Sequence, residues 1–573
     1  MYVSVDIIEY IALEEIYMIS KISVEDRNLN SIRTNVARKN QNADNPAFKG
    51  AIWSLALQGI QECEKNPMVN VAVVDLLSAI LPRTVVESMT NWFAGFEAFR
   101  RESSGLIVNC LIPGFITMGV AAGLNKFVMP KGVKMARCWA DGDLINKTTE
   151  IYQKSKSTDK VKDTLKQILA NVEGFEGKSK IRFGDVLTEK ELEKYASRLK
   201  DLTISEKSNR EIDKAIKEIA KEITEKTHVY ENLKVGAGKN AVKASNINSL
   251  MEDSVKYLKG FNKAGKEMNI QEFAKKSKSL VKSKSILGLL IVLPLAASMQ
   301  YINRWITERM SGVKGAPIYD DFTNKEQDDR KQQIREKSKE GLLKQKIISI
   351  SSMLGVGLLS MMKRPSWNMF EFKGQFPTMD QARIISTTTF ASRMAAADDK
   401  NELAEATTRD IATFLSLYFL GDYAAKATAT VIENKTGVRL LNDTKPIAKD
   451  ANIFKKFGHW MKDLTLKSSE EVVSNTAEKL KEQGLTPTAE QKAQIEKELK
   501  RAVNLRSACQ VANLGVSLVL LGLIIPIWTR KSTKKKHAEA IRQAQFNVSS
   551  NVNGTQDSST SSSSTATKTI KVA

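Results

Sequence analysis

The sequence predicts an all-α, multi-spanning helical membrane protein with long amphipathic and charged helical sections outside the bilayer and disordered termini. Three observations predict this class. Residues 507–529 carry no formal charge, are rich in Leu, Ile and Val, and are followed at once by Arg530, Lys531, Lys534, Lys535 and Lys536. At about 1.5 Å per residue that run crosses a hydrocarbon core of about 30 Å, and the basic cluster behind it resists transfer. Five of the seven tryptophans, Trp92, Trp139, Trp305, Trp367 and Trp528, stand near the ends of apolar runs, where an amphipathic ring suits a bilayer interface. The formal net charge of +22 favours contact with polyanions, and beside spanning segments an anionic lipid surface is the simplest one.

From the N-terminus, residues 1–50 read as polar and mostly disordered. The first twenty mix apolar side chains with Asp6, Glu9, Glu14 and Glu15 and lack the basic start and small-residue cleavage site of a secretory signal. Met18 is a second candidate start. Residues 51–102 read as amphipathic helices lying at the interface, with 71–81 one such element. In another, Trp92, Phe93, Phe96 and Phe99 form the apolar face, and Glu97, Arg100, Arg101 and Glu102 a charged, solvated one. Residues 103–125 form the first span. Within it Gly119 and Gly123, four apart, are a candidate helix contact where a second helix approaches closely.

The longest polar section, 126–284, reads as a basic helical domain outside the bilayer. Two capping boxes start helices there, Thr188 with Glu191 and Ser208 with Glu211. Behind them Leu192, Tyr195, Leu199 and Leu202, then Ile212, Ile216, Ile219 and Ile223, recur at helical period. Such narrow stripes suit helix–helix packing, as in a hairpin or short coiled coil. The section ends in Lys275, Lys276, Lys278, Lys282 and Lys284.

Spans follow at 285–303 and, slightly short, at 347–362, with a charged helical connection over 304–346. In that connection Thr323 and Glu326 cap a helix that runs past Gly341 into Ile347. Residues 363–410 form a further helical connection, and 411–432 a weak span interrupted by Asp422 and Lys426. The charged region 433–506 leads into the strong span 507–529. Thr486 caps that helix and Pro487 takes its first position, giving about 43 residues and about 65 Å. Residues 530–573 form a basic, then Ser/Thr-rich disordered tail. Placing both Lys-rich flanks in the cytoplasm, at a cell (inner) membrane with the tail inside, makes 411–432 a crossing.

Asp422 and Lys426 are the sharpest site candidates. Four apart on one helix face, they lie within ion-pairing reach. Inside a bilayer such a pair faces the bundle interior and serves an ion or proton path; the alternative is that Asp422 marks the surface end of a shorter buried helix. Two phosphate-loop look-alikes fail. Gly177-Lys178-Ser179 has Val172 where a Gly is required. Gly238-Lys239 has Leu233 there and Asn240 in place of Ser or Thr, and neither follows a convincing strand.

Cys63, Cys110, Cys138 and Cys509 form no CxxC pair, and His228, His459 and His537 are isolated, so neither a disulfide framework nor a metal centre is implied. No cofactor is implied, and no groove-reading motif supports nucleic acid. No stretch carries a motif specific enough to point to a family. The expectation is a non-enzymatic membrane scaffold or interaction protein whose basic helices contact anionic lipid headgroups and whose amphipathic helices contact protein partners. A transporter or channel component using intramembrane polar residues is the first alternative, and a membrane-anchored enzyme the second.

Overall fold

The structure, a computed structural model, describes residues 67–89, 92–176, 179–236, 241–311, 341–361, 367–398, 400–442, 452–460, 465–485 and 491–529, with isolated positions in the tail. The chain divides into Met1–Gly59 and Ile60–Ala573, and all described residues belong to the second unit. The expectations for 1–66, for the caps at Thr323 and Thr486 with Pro487, and for almost all of 530–573 lie outside the described residues.

Most described residues are helical. Five helices are long and apolar enough to cross a membrane: Met68–Ser88, Trp92–Val128, Ile270–Met310, Leu342–Met361 and Ala493–Thr529. Three of them contain the runs read at 103–125, 285–303 and 507–529, and Leu342–Met361 covers the described part of the run at 347–362. The fifth, Met68–Ser88, takes in the element expected to lie at the interface over 71–81, because the helix continues through Pro82 instead of ending before it. The weak span 411–432 is not among the five. It falls on Lys400–Leu415 and Gly421–Thr436, joined through a widened turn at Ser416–Leu420.

Proline accounts for three of the four π turns among the described residues. It has no N–H, and its ring collides with the carbonyl four residues earlier, so the turn before it opens. Leu76–Ile80 precedes Pro82, Ile107–Leu111 precedes Pro113, and Leu518–Ile524 precedes Pro526. Two of these turns meet. A Cβ on Gly522 would stand 2.8 Å from the Ser78 carbonyl oxygen and 2.9 Å from Pro82, so only glycine lets these helices cross this closely. Gly341, with φ of +70°, stands immediately before helix Leu342–Met361. That helix therefore starts there rather than running through from the preceding charged segment, since a left-handed residue interrupts the right-handed ladder.

Residues 129–281 share one core and are not wholly helical. The predominantly helical expectation holds, and this domain adds what the sequence did not show: a four-stranded antiparallel sheet of order β2-β1-β3-β4, comprising β1 (Val172–Glu176), β2 (Ser179–Arg182), β3 (Glu231–Val235) and β4 (Val242–Asn246). Val172 pairs with Val235, and Leu233 with Ala244. Along β3, Leu233 and Val235 face the core while Asn232 and Lys234 face out. An alternation of only four or five residues is too short to stand out between long helical patterns. Both capping boxes form, and the two stripes from Leu192 to Ile223 are buried against Leu165, Phe183, Val255 and Phe273. Each such side chain contributes about 1.5–3 kcal/mol of transfer free energy.

The long helix Ile270–Ser311 joins this domain to the bundle. Phe273, Leu280 and Val281 belong to the domain core, whereas Leu289, Val292 and Ala296 pack with Val108, Phe372 and Ile385. At the join Lys284 is buried, donates to the carbonyls of Cys138 (2.7 Å) and Ala136 (3.2 Å), and lies 3.8 Å from the Trp139 ring centroid. Lys284 is thus no part of an open basic flank. Trp139 is no interfacial residue either, being buried against Lys284 and Phe372, whereas Trp92, Trp305 and Trp528 are exposed.

Candidate functional site

A cluster of charges lies inside the bundle, on four helices. Arg83 comes from Met68–Ser88, and Glu97, Arg101 and Glu102 from Trp92–Val128. Arg393 comes from Met379–Ala396, and Arg409 and Asp410 from Lys400–Leu415. Glu102 is the hub: Arg393 lies 3.0 Å from its carboxylate, Arg101 3.5 Å and Arg83 3.6 Å. Arg393 also reaches Asp410 at 3.2 Å, Arg409 reaches it at 3.4 Å, and Glu97 holds Arg101 at 3.1 Å. Arg83 donates to Thr413 Oγ1 at 2.8 Å.

The helical spacing of Glu97, Arg101 and Glu102 brings all three to one side, but that side is not solvated as the sequence suggested. All three are buried. Arg100 is turned inward too, donating to the Asn303 carbonyl at 3.0 Å and to Thr307 Oγ1 at 2.6 Å. The physical reason is continuity. Residues 92–128 form one helix, so the charged face of its first half continues into the bundle seam of its second, while Phe96 and Phe99 remain exposed on the other side. The signal that points inward was the absence of any helix breaker between Phe99 and the apolar run.

The electrostatics close on themselves. Burial disfavours the charged forms of Arg393 and Arg409, yet Glu102 and Asp410 outweigh it and raise both guanidinium groups above their ordinary range. With Glu405 at 3.8 Å from Arg409, Arg83, Arg101, Arg393 and Arg409 face Glu97, Glu102, Glu405 and Asp410. Matched charges of this kind hold helices in register, because freeing any one leaves a buried ion unpaired. Two further polar pairs bridge the same region, Thr389 to Asn109 at 2.9 Å and Ser386 with Tyr418 at 2.9 Å. Arg83 Nε, Arg101 Nε and Asp410 Oδ2 are sealed from solvent with no hydrogen-bond partner among the described residues.

Asp422 and Lys426 are engaged separately. Asp422 accepts from Asn513 Nδ2 at 3.1 Å, on helix Ala493–Thr529. Lys426 donates to the Trp460 carbonyl and sits 5.1 Å from that ring's centroid. Next to Asp422, Gly421 seats the Asn513 amide, whose Oδ1 would lie 2.1 Å from an added Cβ. Gly119 and Gly123 have no described atom within 4 Å of an added Cβ, whereas close helix approaches at glycine occur at Gly288, Gly357, Gly421 and Gly522.

The two phosphate-loop look-alikes do follow strands, β1 and β3. What comes after each is another strand, β2 or β4, whereas phosphate binding by such a loop uses the N-terminus of a following helix. Residues 177–178 and 237–240 themselves lie outside the described residues. Among the described residues no group of three or more His, Cys, Asp or Glu side chains is placed to hold a metal ion. Comparison with family models, with curated proteins and with solved structures finds no match.

Proposed function

We propose that this chain is an integral membrane scaffold in which a bundle carried by five apolar helices holds the basic 129–281 domain at the bilayer surface. The observation that supports it is the inverted polarity of the bundle. Leu290 (61 % exposed), Leu358 (66 %) and Leu359 (76 %) face outward, while Glu102 and Asp410 are sealed inside. Against water both placements are unfavourable; against hydrocarbon both are required. The domain then meets anionic headgroups through its basic face, and its charged helices remain available to protein partners. Washing membranes of expressing cells with high salt and then alkaline carbonate tests this. Retention through both is expected, and release by salt alone overturns it.

The number of crossings also sets sidedness. Three of the five apolar helices lie at or beyond residue 270, so five crossings put the domain and the basic cluster at 530–536 on opposite faces. The arrangement with both in the cytoplasm requires 411–432 to cross as well. Labelling single cysteines placed at Lys190 and Lys535 from one side distinguishes the two: one position reacts with five crossings, both or neither with six. A second reading, an ion or proton pathway, is favoured by the three sealed, partnerless atoms of Arg83, Arg101 and Asp410. Proton flux into proteoliposomes that is lost in Asp410→Asn supports it; equal flux in both proteins removes it.

A further inference from the structure

A cleft of the water-facing domain opens where the second apolar helix, Trp92–Val128, ends. It has a volume of about 1030 Å³ and is walled by the end of that helix, the following loop 129–138, the link 205–209 and helix Ile247–Ala264. Its lining is cationic out of proportion: eight Lys and Arg side chains face one carboxylate, that of Glu206.

Three of the cations are already engaged. Lys256 pairs with Asp213 at 3.2 Å and with Glu252, Lys263 with Glu206 at 3.7 Å, and Lys259 donates to the Ser205 carbonyl at 2.7 Å. The other five, Lys126, Lys131, Lys134, Arg137 and Lys207, make no ion pair among the described residues. Burial, and then the neighbouring Lys263, lowers the proton affinity of the Lys259 ammonium against the opposing Glu206. Holding so many cations around one concavity is unfavourable unless an anion offsets the repulsion.

The cleft is also preformed. Asn125, in the last turn of the apolar helix, donates to the Val133 carbonyl at 2.7 Å and accepts from the Met135 N–H at 2.8 Å. Gly132, at φ of +90°, turns the chain back so that the Val133 N–H reaches the Pro130 carbonyl at 3.2 Å. The loop that carries Lys131, Lys134 and Arg137 is therefore pinned at both ends of its turn. Beside it Phe127 is 88 % exposed, one residue from Lys126, a pairing that places ring and ammonium at the boundary between hydrocarbon and headgroups.

We propose that this cleft binds the phosphate-bearing headgroup of an anionic membrane lipid, with Lys131, Lys134 and Arg137 as the principal contacts and Phe127 against the acyl chains. The assignment rests on the membrane placement above. The same cations would suit a soluble phosphate compound, and it is the position of the cleft at the end of an apolar helix that selects the lipid.

The test uses the full chain in neutral detergent, titrated with short-chain phosphatidylglycerol, short-chain phosphatidylcholine and inorganic pyrophosphate. Saturable binding of phosphatidylglycerol, with much weaker binding of the other two, is expected. The triple variant Lys131→Gln/Lys134→Gln/Arg137→Gln should lose affinity on the order of 100-fold, given the attraction each basic residue adds near an anionic headgroup. A control triple, Lys190→Gln/Lys214→Gln/Lys217→Gln, removes equal charge from exposed positions elsewhere on the domain and should bind as wild type. Equal loss in both triples, equal binding of the two lipids, or no loss in the cleft triple overturns the site. Pyrophosphate binding as tightly as phosphatidylglycerol overturns the lipid as ligand and assigns the cleft to a soluble phosphate. Carbonate extraction of the same proteins reports the membrane placement independently: wild type washed out while pyrophosphate still binds rejects the placement and leaves the cationic site standing.

Discussion

The 129–281 domain and the helical bundle both have apolar cores, but the bundle also encloses a cluster of charges and turns large apolar side chains outward. In the domain, Leu199, Ile212, Ile216 and Ile223 are fully enclosed, and charged groups such as Lys190 and Lys217 stand outside. In the bundle, Arg83, Glu102, Arg393 and Asp410 are enclosed, and Leu358 and Leu359 stand outside. On the proposed membrane placement one chain uses two solvents. Water drives the domain together by expelling apolar surface. Between helices in lipid that drive would be absent, and close backbone approach and matched polar groups would take its place. The join is correspondingly mixed, with Lys284 enclosed by carbonyls and the Trp139 ring.

The most forceful way to break this comparison is to remove the hub of the bundle. Glu102→Ala leaves Arg83, Arg101 and Arg393 short of a partner and should destabilise by about 3–5 kcal/mol. Thermal unfolding of the full chain in detergent reads this, and a shift no larger than that of a surface substitution would show the cluster to be solvated. Next comes an acid placed outside. Leu358→Asp, on an apolar helix, should impair insertion by about 2.5–3.5 kcal/mol if it faces mid-bilayer. The matching change in the domain, Ile204→Asp at a residue 60 % exposed, should stay within about 0.5 kcal/mol. Carbonate-resistant yield measures the first and domain stability the second; equal effects would erase the distinction.

A smaller effect separates the glycines. Gly421→Ala forces Asn513 aside and should cost about 1–3 kcal/mol, while Gly119→Ala, in open space, should be neutral or slightly stabilising. Thermal midpoints of the two variants compare them directly. A larger loss at Gly119 would place a second copy against that face.

The smallest effect is pH-dependent and sits where the domain meets helix Ser469–Glu482. Glu471 accepts the N–H groups of Tyr230 (2.8 Å) and Glu231 (2.9 Å), and Ser474 donates to the Thr224 carbonyl at 2.9 Å. Burial, then Glu471 and Glu470, push the Glu231 carboxyl up to about 8, against the opposing Lys467. A raised acid holds its proton longer folded than unfolded, so its contribution to stability declines as pH rises from the unfolded value near 4.5 to about 8. His228 in the same contact is lowered by burial, which favours the neutral ring and adds an opposite, acidic-side loss. Protection of this contact from amide exchange should therefore weaken as pH rises from about 6.5, above the opposing histidine, to about 8 and level off beyond it, and Glu231→Gln should flatten that decline. An unchanged decline would assign it elsewhere.

Much of this architecture was legible along the chain because it depends on local pattern. Thr188–Glu191 and Ser208–Glu211 cap helices through contacts three residues apart. The apolar runs at 103–125, 285–303, 347–362 and 507–529 declare themselves by composition alone. The sheet was not legible, since four short strands owe their existence to partners such as Val172 with Val235, far apart in sequence. Nor were the interior charges: Glu97, Arg101 and Glu102 look like any solvated helix face until Arg393 and Asp410, about three hundred residues on, are brought against them. Asp422 and Lys426 show the converse. Their spacing permits a pair, but Asn513 and Trp460 claim them one each.

By itself the sequence determined where the long helices and their caps lie, which are apolar enough to leave water, and that the chain is strongly basic, because periodicity, hydropathy and charge are properties of neighbouring residues. Only the tertiary structure decided which charges are enclosed, which glycines carry helix crossings, and which lysines gather around one cleft. Those outcomes depend on which distant surfaces meet, and the free energy of a buried charge is set by the partner that faces it rather than by the residues beside it.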